Sequence, residues 1–118
     1  MGNKVLLVDD EELLRDNLAR FFKRKGFEVL EASSGNQALK VLNSENVDII
    51  ISDMRMPDGD GKYLYDHTRD LKPLPKFIFL TGFSELSEEE LKSLPGVDSV
   101  ESKPVVKKDL LEKINSIL

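Results

Sequence analysis

Val47-Asp48-Ile49-Ile50-Ile51-Ser52-Asp53 is a short, nearly continuous apolar run that stops on a carboxylate. A run without polar alternation is what a strand covered on both faces looks like, as in the centre of a parallel sheet. Upstream, Lys4–Val8 is a similar run and leads into Asp9-Asp10. Downstream, Lys76–Leu80 leads into Thr81, and Val97–Val100 leads shortly to Lys103-Pro104. Phe27–Glu31 reads as one more short strand, and helical patterns fill the intervals. Strands alternating with helices at this spacing imply βα units and a mostly parallel sheet. Right-handed crossovers then place helices on both faces. In open parallel sheets, ligands bind at the carboxyl ends of the strands. Three acids, one hydroxyl and one ammonium would meet there, which suggests a divalent metal and a phosphoryl group.

The helices are legible from apolar spacing. Leu14, Leu18, Phe21 and Phe22 share one face, with Arg15, Asp16, Arg20 and Lys23 largely elsewhere and Gly26 as a stop. Ser34-Gly35-Asn36-Gln37 has capping-box spacing ahead of Ala38, Leu39 and Leu42. Pro57-Asp58-Gly59-Asp60-Gly61 is a turn, and Leu64, Thr68 and Leu71 mark a helix closed by Pro73 and Pro75. Ser87 caps a short acidic helix anchored by Leu91 and Leu94, expected to be the least stable element. Leu110, Leu111, Ile114, Ile117 and Leu118 form the stripe of the last helix.

The chain has 118 residues, which fits one domain, taken as 1–118. A formal net charge of −5 argues against sequence-independent nucleic-acid binding, which depends on Lys and Arg at phosphates. There is no cysteine, so disulfides, thiolate catalysis and cysteine–zinc sites are excluded. No apolar run approaches the roughly 20 residues of a membrane span, and Val5–Val8 is too short for a signal-peptide core. The expected location is cytoplasmic, with no membrane partner.

Each strand-end residue has a plain reading beside a chemical one. Asp9-Asp10 fits the start of a helix, where acids are common. With Asp53 close by, the same pair forms a carboxylate cluster whose repulsion a cation would relieve. Oxygen ligands without His or Cys favour Mg²⁺, or Mn²⁺, over zinc. Asp53 opens a turn, or serves as a nucleophile that forms an aspartyl phosphate. Thr81 ends a strand, or donates its hydroxyl to a phosphoryl oxygen; Lys103 is a loop lysine, or the ammonium that stabilises phosphoryl charge. The Lys103-Pro104 bond could adopt the cis form, against a frequency of only about 5–6% for X–Pro bonds. His67, mid-helix, reads as solvent-facing, and Met54 and Met56 as packing residues.

Together Val-Asp9-Asp10-Glu, Asp53-Met-Arg-Met-Pro57-Asp-Gly-Asp-Gly61, Leu-Thr81-Gly82 and Lys103-Pro104 resemble the receiver domain of two-component response regulators, from Lys4 to Leu118. The resemblance implies a flavodoxin-like (βα)5 three-layer sandwich with sheet order 2-1-3-4-5. It implies that Asp53 accepts a phosphoryl group from a histidine kinase or histidine phosphotransfer protein. Asp10, Asp53 and the backbone carbonyl of Arg55 would ligate Mg²⁺, with Asp9 acting through water. Lys103 would pair with Asp53 and then with its phosphate, which Thr81 would hydrogen-bond. The output would be a partner-binding or dimerising face built from the fourth helix, fifth strand and fifth helix.

Three positions depart from the family pattern. Val100 stands where an aromatic switch residue is common. Phe83 lies two residues after Thr81, and Arg55 two after Asp53; one reading has the two shield an acyl phosphate from water, and the other makes Phe83 simple packing. Rival readings are a phosphorylation-independent interaction module, a Mg²⁺-dependent aspartyl-phosphate phosphohydrolase and a flavin mononucleotide binder. The hydrolase would need an acid where Arg55 stands, and Asp9-Asp10-Glu11-Glu12 would repel a flavin phosphate.

Overall fold

The computed structural model describes residues 3–82 and 87–118. Its elements run β1 (Lys4–Val8), α1 (Glu12–Arg24), β2 (Glu28–Ala32), α2 (Gly35–Ser44), β3 (Ile49–Asp53), α3 (Gly61–Asp66), β4 (Lys76–Thr81), α4 (Glu88–Lys92), β5 (Ser99–Ser102) and α5 (Lys107–Ile117). The strands form one parallel sheet in the order β2-β1-β3-β4-β5. That is the flavodoxin-like architecture.

Strand periodicity sorts the core into two layers. Val5, Leu7, Ile49, Ile51, Ile78 and Leu80 face Leu18, Ala19 and Phe22 of α1 and Leu110 and Ile114 of α5. Leu6, Val8, Ile50, Phe77, Phe79 and Val100 face Ala38 of α2, Leu64 and Tyr65 of α3 and Leu91 of α4. β3 is buried at every position because it is sandwiched on both faces and paired on both edges. Burying each such Ile or Phe side chain contributes about 1.5–3 kcal/mol relative to exposure.

Boundaries shift by small amounts. β2 and β3 begin later than the apolar runs suggest, and β5 is displaced to Ser99–Ser102, so it carries polar residues at its end. The displacement follows from pairing: Ile78 sets its partner as Ser99, and Thr81 falls opposite Ser102. α3 stops at Asp66, short of Thr68 and Leu71; the Thr68 hydroxyl and the Arg69 guanidinium both donate to the Tyr65 carbonyl there. Leu14 is exposed rather than buried, since it precedes the part of α1 that reaches the sheet. Ser34 caps α2 through the Gln37 N–H, but Gln37 returns to Ser33 instead of closing the box on Ser34. The full capping box occurs on α4, between Ser87 and Glu90. Met54 and Met56 are buried, and His67 is exposed against Tyr63. Lys103-Pro104 is cis, as is Lys72-Pro73.

Candidate functional site

All five strands are parallel, so β1, β3, β4 and β5 deliver their last residues to one edge. Asp9 follows β1, Asp53 ends β3, Thr81 ends β4 and Lys103 follows β5. Asp53 lies opposite Leu80 in register, one residue before Thr81. Carboxylate oxygens of Asp9, Asp10 and Asp53 lie within 4.8 Å of one another. Asp9 and Asp53 are buried, and Asp10 is exposed.

Lys103 crosses the edge to meet them. Its Nζ donates to Asp53 Oδ2 at 2.8 Å and to Asp9 Oδ2 at 3.4 Å. It also lies 3.7 Å from Glu11 Oε1. The Lys103 backbone N–H donates to the Thr81 carbonyl at 2.9 Å, so the residue is fixed at both ends. Burial pushes the Asp53 carboxyl above its usual range; the Lys103 hydrogen bond and charge oppose this, Asp9 adds repulsion and the Arg55 backbone N–H opposes. Burial draws the Lys103 ammonium down, but its hydrogen bond to Asp53 and the charges of Asp53, Asp9 and Glu11 together raise it. Lys103 is therefore held as a cation.

The backbone around Asp53 is set by close packing. The Gly61 N–H donates to the Met54 carbonyl at 3.0 Å. A Cβ at Gly61 would lie 2.4 Å from the Asp53 carbonyl oxygen, so only glycine lets α3 start so close to β3. The turn before it passes through Asp58 and Gly59, both at positive φ, and Asp58 is held by Ser34 and Asn36.

The donor set fits a small hard cation. It is all oxygen; octahedral ligands at about 2.1 Å from Mg²⁺ lie roughly 3–4 Å apart, and the three carboxylates offer oxygens within 4.8 Å of one another. No Cys or His joins this cluster among the described residues. The arrangement pairs a buried carboxylate with one ammonium and two further carboxylates, a set that suits phosphoryl chemistry.

Every strand-end residue picked out in the sequence reaches this edge. Arg55 lies two residues beyond the end of β3; it is exposed and engaged in an interaction of its own. Val100 is buried beside Phe79 and Leu91, so it fills core rather than presenting a movable ring. Phe83 lies outside the described residues. Two residues were not singled out from sequence. Glu11 contacts Lys103, and Arg15 reaches the Asp9 carbonyl at 2.6 Å and Glu31 at 3.0 Å. The Arg15 contact with Glu31 depends on β2 lying beside β1, and the Glu11 contact on Lys103 arriving from the end of β5, which no local pattern announces.

Comparison with known proteins agrees with this geometry. A family model described as response regulator receiver domain matches residues 5–115. Transcriptional regulatory protein GlrR of Escherichia coli (strain K12) is 36% identical over 114 residues, covering 97% of this chain and 26% of that protein. Alkaline phosphatase synthesis transcriptional regulatory protein PhoP of Bacillus subtilis (strain 168) is 31% identical over 118 residues, covering 100% of this chain and 49% of that protein. The chain thus spans only a quarter to a half of these relatives. A CheY-like receiver domain protein from Methanospirillum hungatei JF-1 superposes with a TM-score of 0.90 at 31% identity, covering 99% of this chain and 94% of that one. Response regulator protein TrrA from Thermotoga maritima, solved with Mg²⁺-BeF, gives a TM-score of 0.86 at 32% identity, with 100% of both chains covered. A family match across nearly the whole chain, a shared fold and a carboxylate–lysine edge converge: this protein is a member of the response regulator receiver domain family.

Proposed function

We propose that Asp53 is the phosphoacceptor of a two-component phosphorelay. The observation that carries this is the pairing of Lys103 Nζ with Asp53 Oδ2 at 2.8 Å inside a cluster of three carboxylates. A carboxylate oxygen of Asp53 bonds to the phosphorus of a phosphohistidine. The P–N bond breaks, its electron pair returns to the imidazole nitrogen, and an acyl phosphate remains on Asp53. Lys103 then transfers its hydrogen bond to the phosphoryl oxygens, and the Thr81 hydroxyl donates to them. Asp10, Asp53 and the Arg55 carbonyl would hold Mg²⁺, or Mn²⁺, with Asp9 through water. When bound, the cation offsets the negative charge gathered at the phosphoryl group. Asp9 and Asp10 keep the pocket anionic until a cation enters, and burial keeps Asp53 shielded from bulk water.

The donor is a histidine kinase or histidine phosphotransfer protein, and the chain catalyses only its own phosphorylation and dephosphorylation. The output face is α4, β5 and α5, which contacts a downstream domain or protein or a second copy. The receiver domain is taken as residues 1–118 and acts in the cytoplasm, itself making no direct nucleic-acid contact. No helix among the described residues is long and apolar enough to cross a membrane.

Incubation with Mg²⁺ and a small acyl-phosphate donor, followed by intact-mass measurement, tests this reading. A single phosphoryl adduct that disappears in Asp53→Asn is expected. An adduct that persists in Asp53→Asn, or its absence from the parent, overturns the assignment.

A further inference from the structure

Outside the Lys103 cluster, Arg15–Glu31 is the least exposed of the described acid–base pairs, and it is set apart by the group it reaches. The Arg15 side chain is 14% exposed, whereas the nearby Arg20–Asp16 pair is 71% and 44% exposed. Arg15 uses two separate nitrogens. Nε donates to Glu31 Oε1 at 3.0 Å, and Nη1 donates to the backbone carbonyl of Asp9 at 2.6 Å. Glu31 stands on β2 in register with Leu7 of β1, so its carboxylate is anchored to the sheet.

The Asp9 peptide is held from several directions. Its N–H donates to the Ala32 carbonyl at 3.1 Å, and its Oδ1 accepts the Glu11 N–H at 2.9 Å. Its carbonyl is the group that joins it to Asp10. That carbonyl leaves the sheet ladder at the end of β1, and Arg15 satisfies it. Rotation of the Asp9–Asp10 peptide would swing the Asp10 carboxylate relative to Asp53. Asp10 itself is exposed, whereas Asp9 and Asp53 are buried.

We infer that Arg15, braced by Glu31, is a positioning residue that sets the Asp9–Asp10 peptide and so aims the Asp10 carboxylate at the cation position beside Asp53. The inference rests on the phosphoacceptor reading above. A planar guanidinium fork can serve both acceptors at once, which an ammonium on a lysine stem cannot do with the same geometry. Partners that orient metal-binding groups from outside typically change metal affinity by about 10–100-fold when removed.

The charge of Arg15 has the opposite effect on a cation. A guanidinium near the pocket repels Mg²⁺, so loss of the charge alone would tighten binding. The two accounts therefore predict opposite signs. Mg²⁺ titration of the whole chain, read from backbone amide shifts of Asp10, Glu11 and Asp53, distinguishes them. Arg15→Met is expected to weaken Mg²⁺ about tenfold. Arg15→Lys, which keeps the charge and one donor, should recover part of the loss. Glu31→Gln, which keeps a neutral acceptor for Nε, should lose less than Arg15→Met. Arg20→Met, at the exposed pair, should leave affinity unchanged. Unchanged or tighter Mg²⁺ binding in Arg15→Met overturns the positioning role. If Arg15→Met does not fold, Glu31→Ala replaces it, and unchanged binding there overturns the role equally. A parent chain that binds no Mg²⁺ overturns the phosphoacceptor reading itself, which separates that failure from failure of the Arg15 assignment.

Discussion

Gly61→Ala tests how tightly α3 is built against the phosphoacceptor strand. Gly61 is the first residue of α3, and its φ does not lie in the left-handed region. Alanine therefore suits the backbone and gains roughly 0.5–1 kcal/mol over glycine in a helix. The opposing term is steric. The added Cβ would lie 2.4 Å from the Asp53 carbonyl oxygen and 3.0 Å from Met54 Cα. Both neighbours are backbone atoms at the end of a buried strand, so neither can rotate away. Relief requires a shift of the helix or of Asp53, and overpacking of this kind costs about 1–3 kcal/mol. The steric term wins, with a net loss of about 1–2 kcal/mol. For 118 residues, an unfolding entropy of about 2.1 cal/mol/K each sums to about 0.25 kcal/mol/K. The expected fall in Tm is therefore about 4–8 °C. Gly26→Ala is the matched control. Gly26 has a φ of +97° and nothing within 4 Å of a built Cβ, so its loss comes from backbone strain far from Asp53. Calorimetry should show both variants less stable, whereas phosphoryl uptake from an acyl-phosphate donor should slow only in Gly61→Ala. A Gly61→Ala Tm within a degree of the parent, or equal uptake in both variants, would refute the packing argument.

Three further outcomes follow from the same geometry. Lys103→Gln should slow formation of the mass adduct by about a hundredfold, the scale of losing one preorganised donor to a developing oxyanion; a loss under threefold would remove Lys103 from the chemistry. Ser87→Ala deletes the cap of α4 and should cost that helix about 1 kcal/mol. Amide exchange should then quicken in α4 and not in α1, since Leu91 is the buried residue of a five-residue helix; uniform quickening would mean that α4 does not open on its own. The hydrogen bonds from Asn36 and then Ser34 hold the Asp58 carboxyl below its ordinary value, against a smaller opposing desolvation. A depressed folded value means this contribution is present above the unfolded carboxylate range and is lost as pH falls through the folded one. Asp58→Asn, which tolerates the φ of 59° there, should therefore have a lower urea midpoint than the parent at neutral pH, with the gap closing in acid. A gap that stays constant would show that the Asp58 charge is not what the cradle recognises.

Most of the fold was legible because buried parallel strands announce themselves by continuous apolar runs. Val47–Ser52 and Lys76–Leu80 needed no tertiary knowledge. The ends were less legible, because register decides them. β5 is not centred on Val97–Val100, since Asp98 donates no apolar contact and instead accepts the Phe77 N–H through its carboxylate, while Ser99 starts the ladder opposite Ile78. α3 is shorter than its apolar spacing, because Arg69 and Thr68 take the Tyr65 carbonyl that a longer helix would use. The site residues were legible for a topological reason: in a parallel sheet every strand that matters ends at the same edge. Arg15 was not, because its acceptors come from the residue after β1 and from β2. Its helical position looks like any polar residue on an exposed face until those strands are side by side.

The charge balance at the edge explains why such a site signals at all. Asp9, Asp10 and Asp53 gather three carboxylates around the single ammonium of Lys103, with Glu11 3.7 Å from the same nitrogen, so acids outnumber bases at the edge and a divalent cation would offset the excess. On the proposed chemistry, Asp53 changes from a carboxylate of −1 to an acyl phosphate of about −2, so the edge gains about one negative charge. That charge arises beside two donors that cannot respond independently, because the Lys103 N–H is bonded to the Thr81 carbonyl. Ser102, opposite Thr81 and preceding Lys103, donates its hydroxyl to Glu88 in the first turn of α4. On the same proposal, a displacement of the Thr81–Lys103 unit would act on α4 through main chain and one side-chain bond. With Val100 packed in the core, no ring rotation is required for that path. Because α4 has one buried anchor and a single turn of cap, a change of a few kcal/mol in local electrostatics is comparable to what holds it in place.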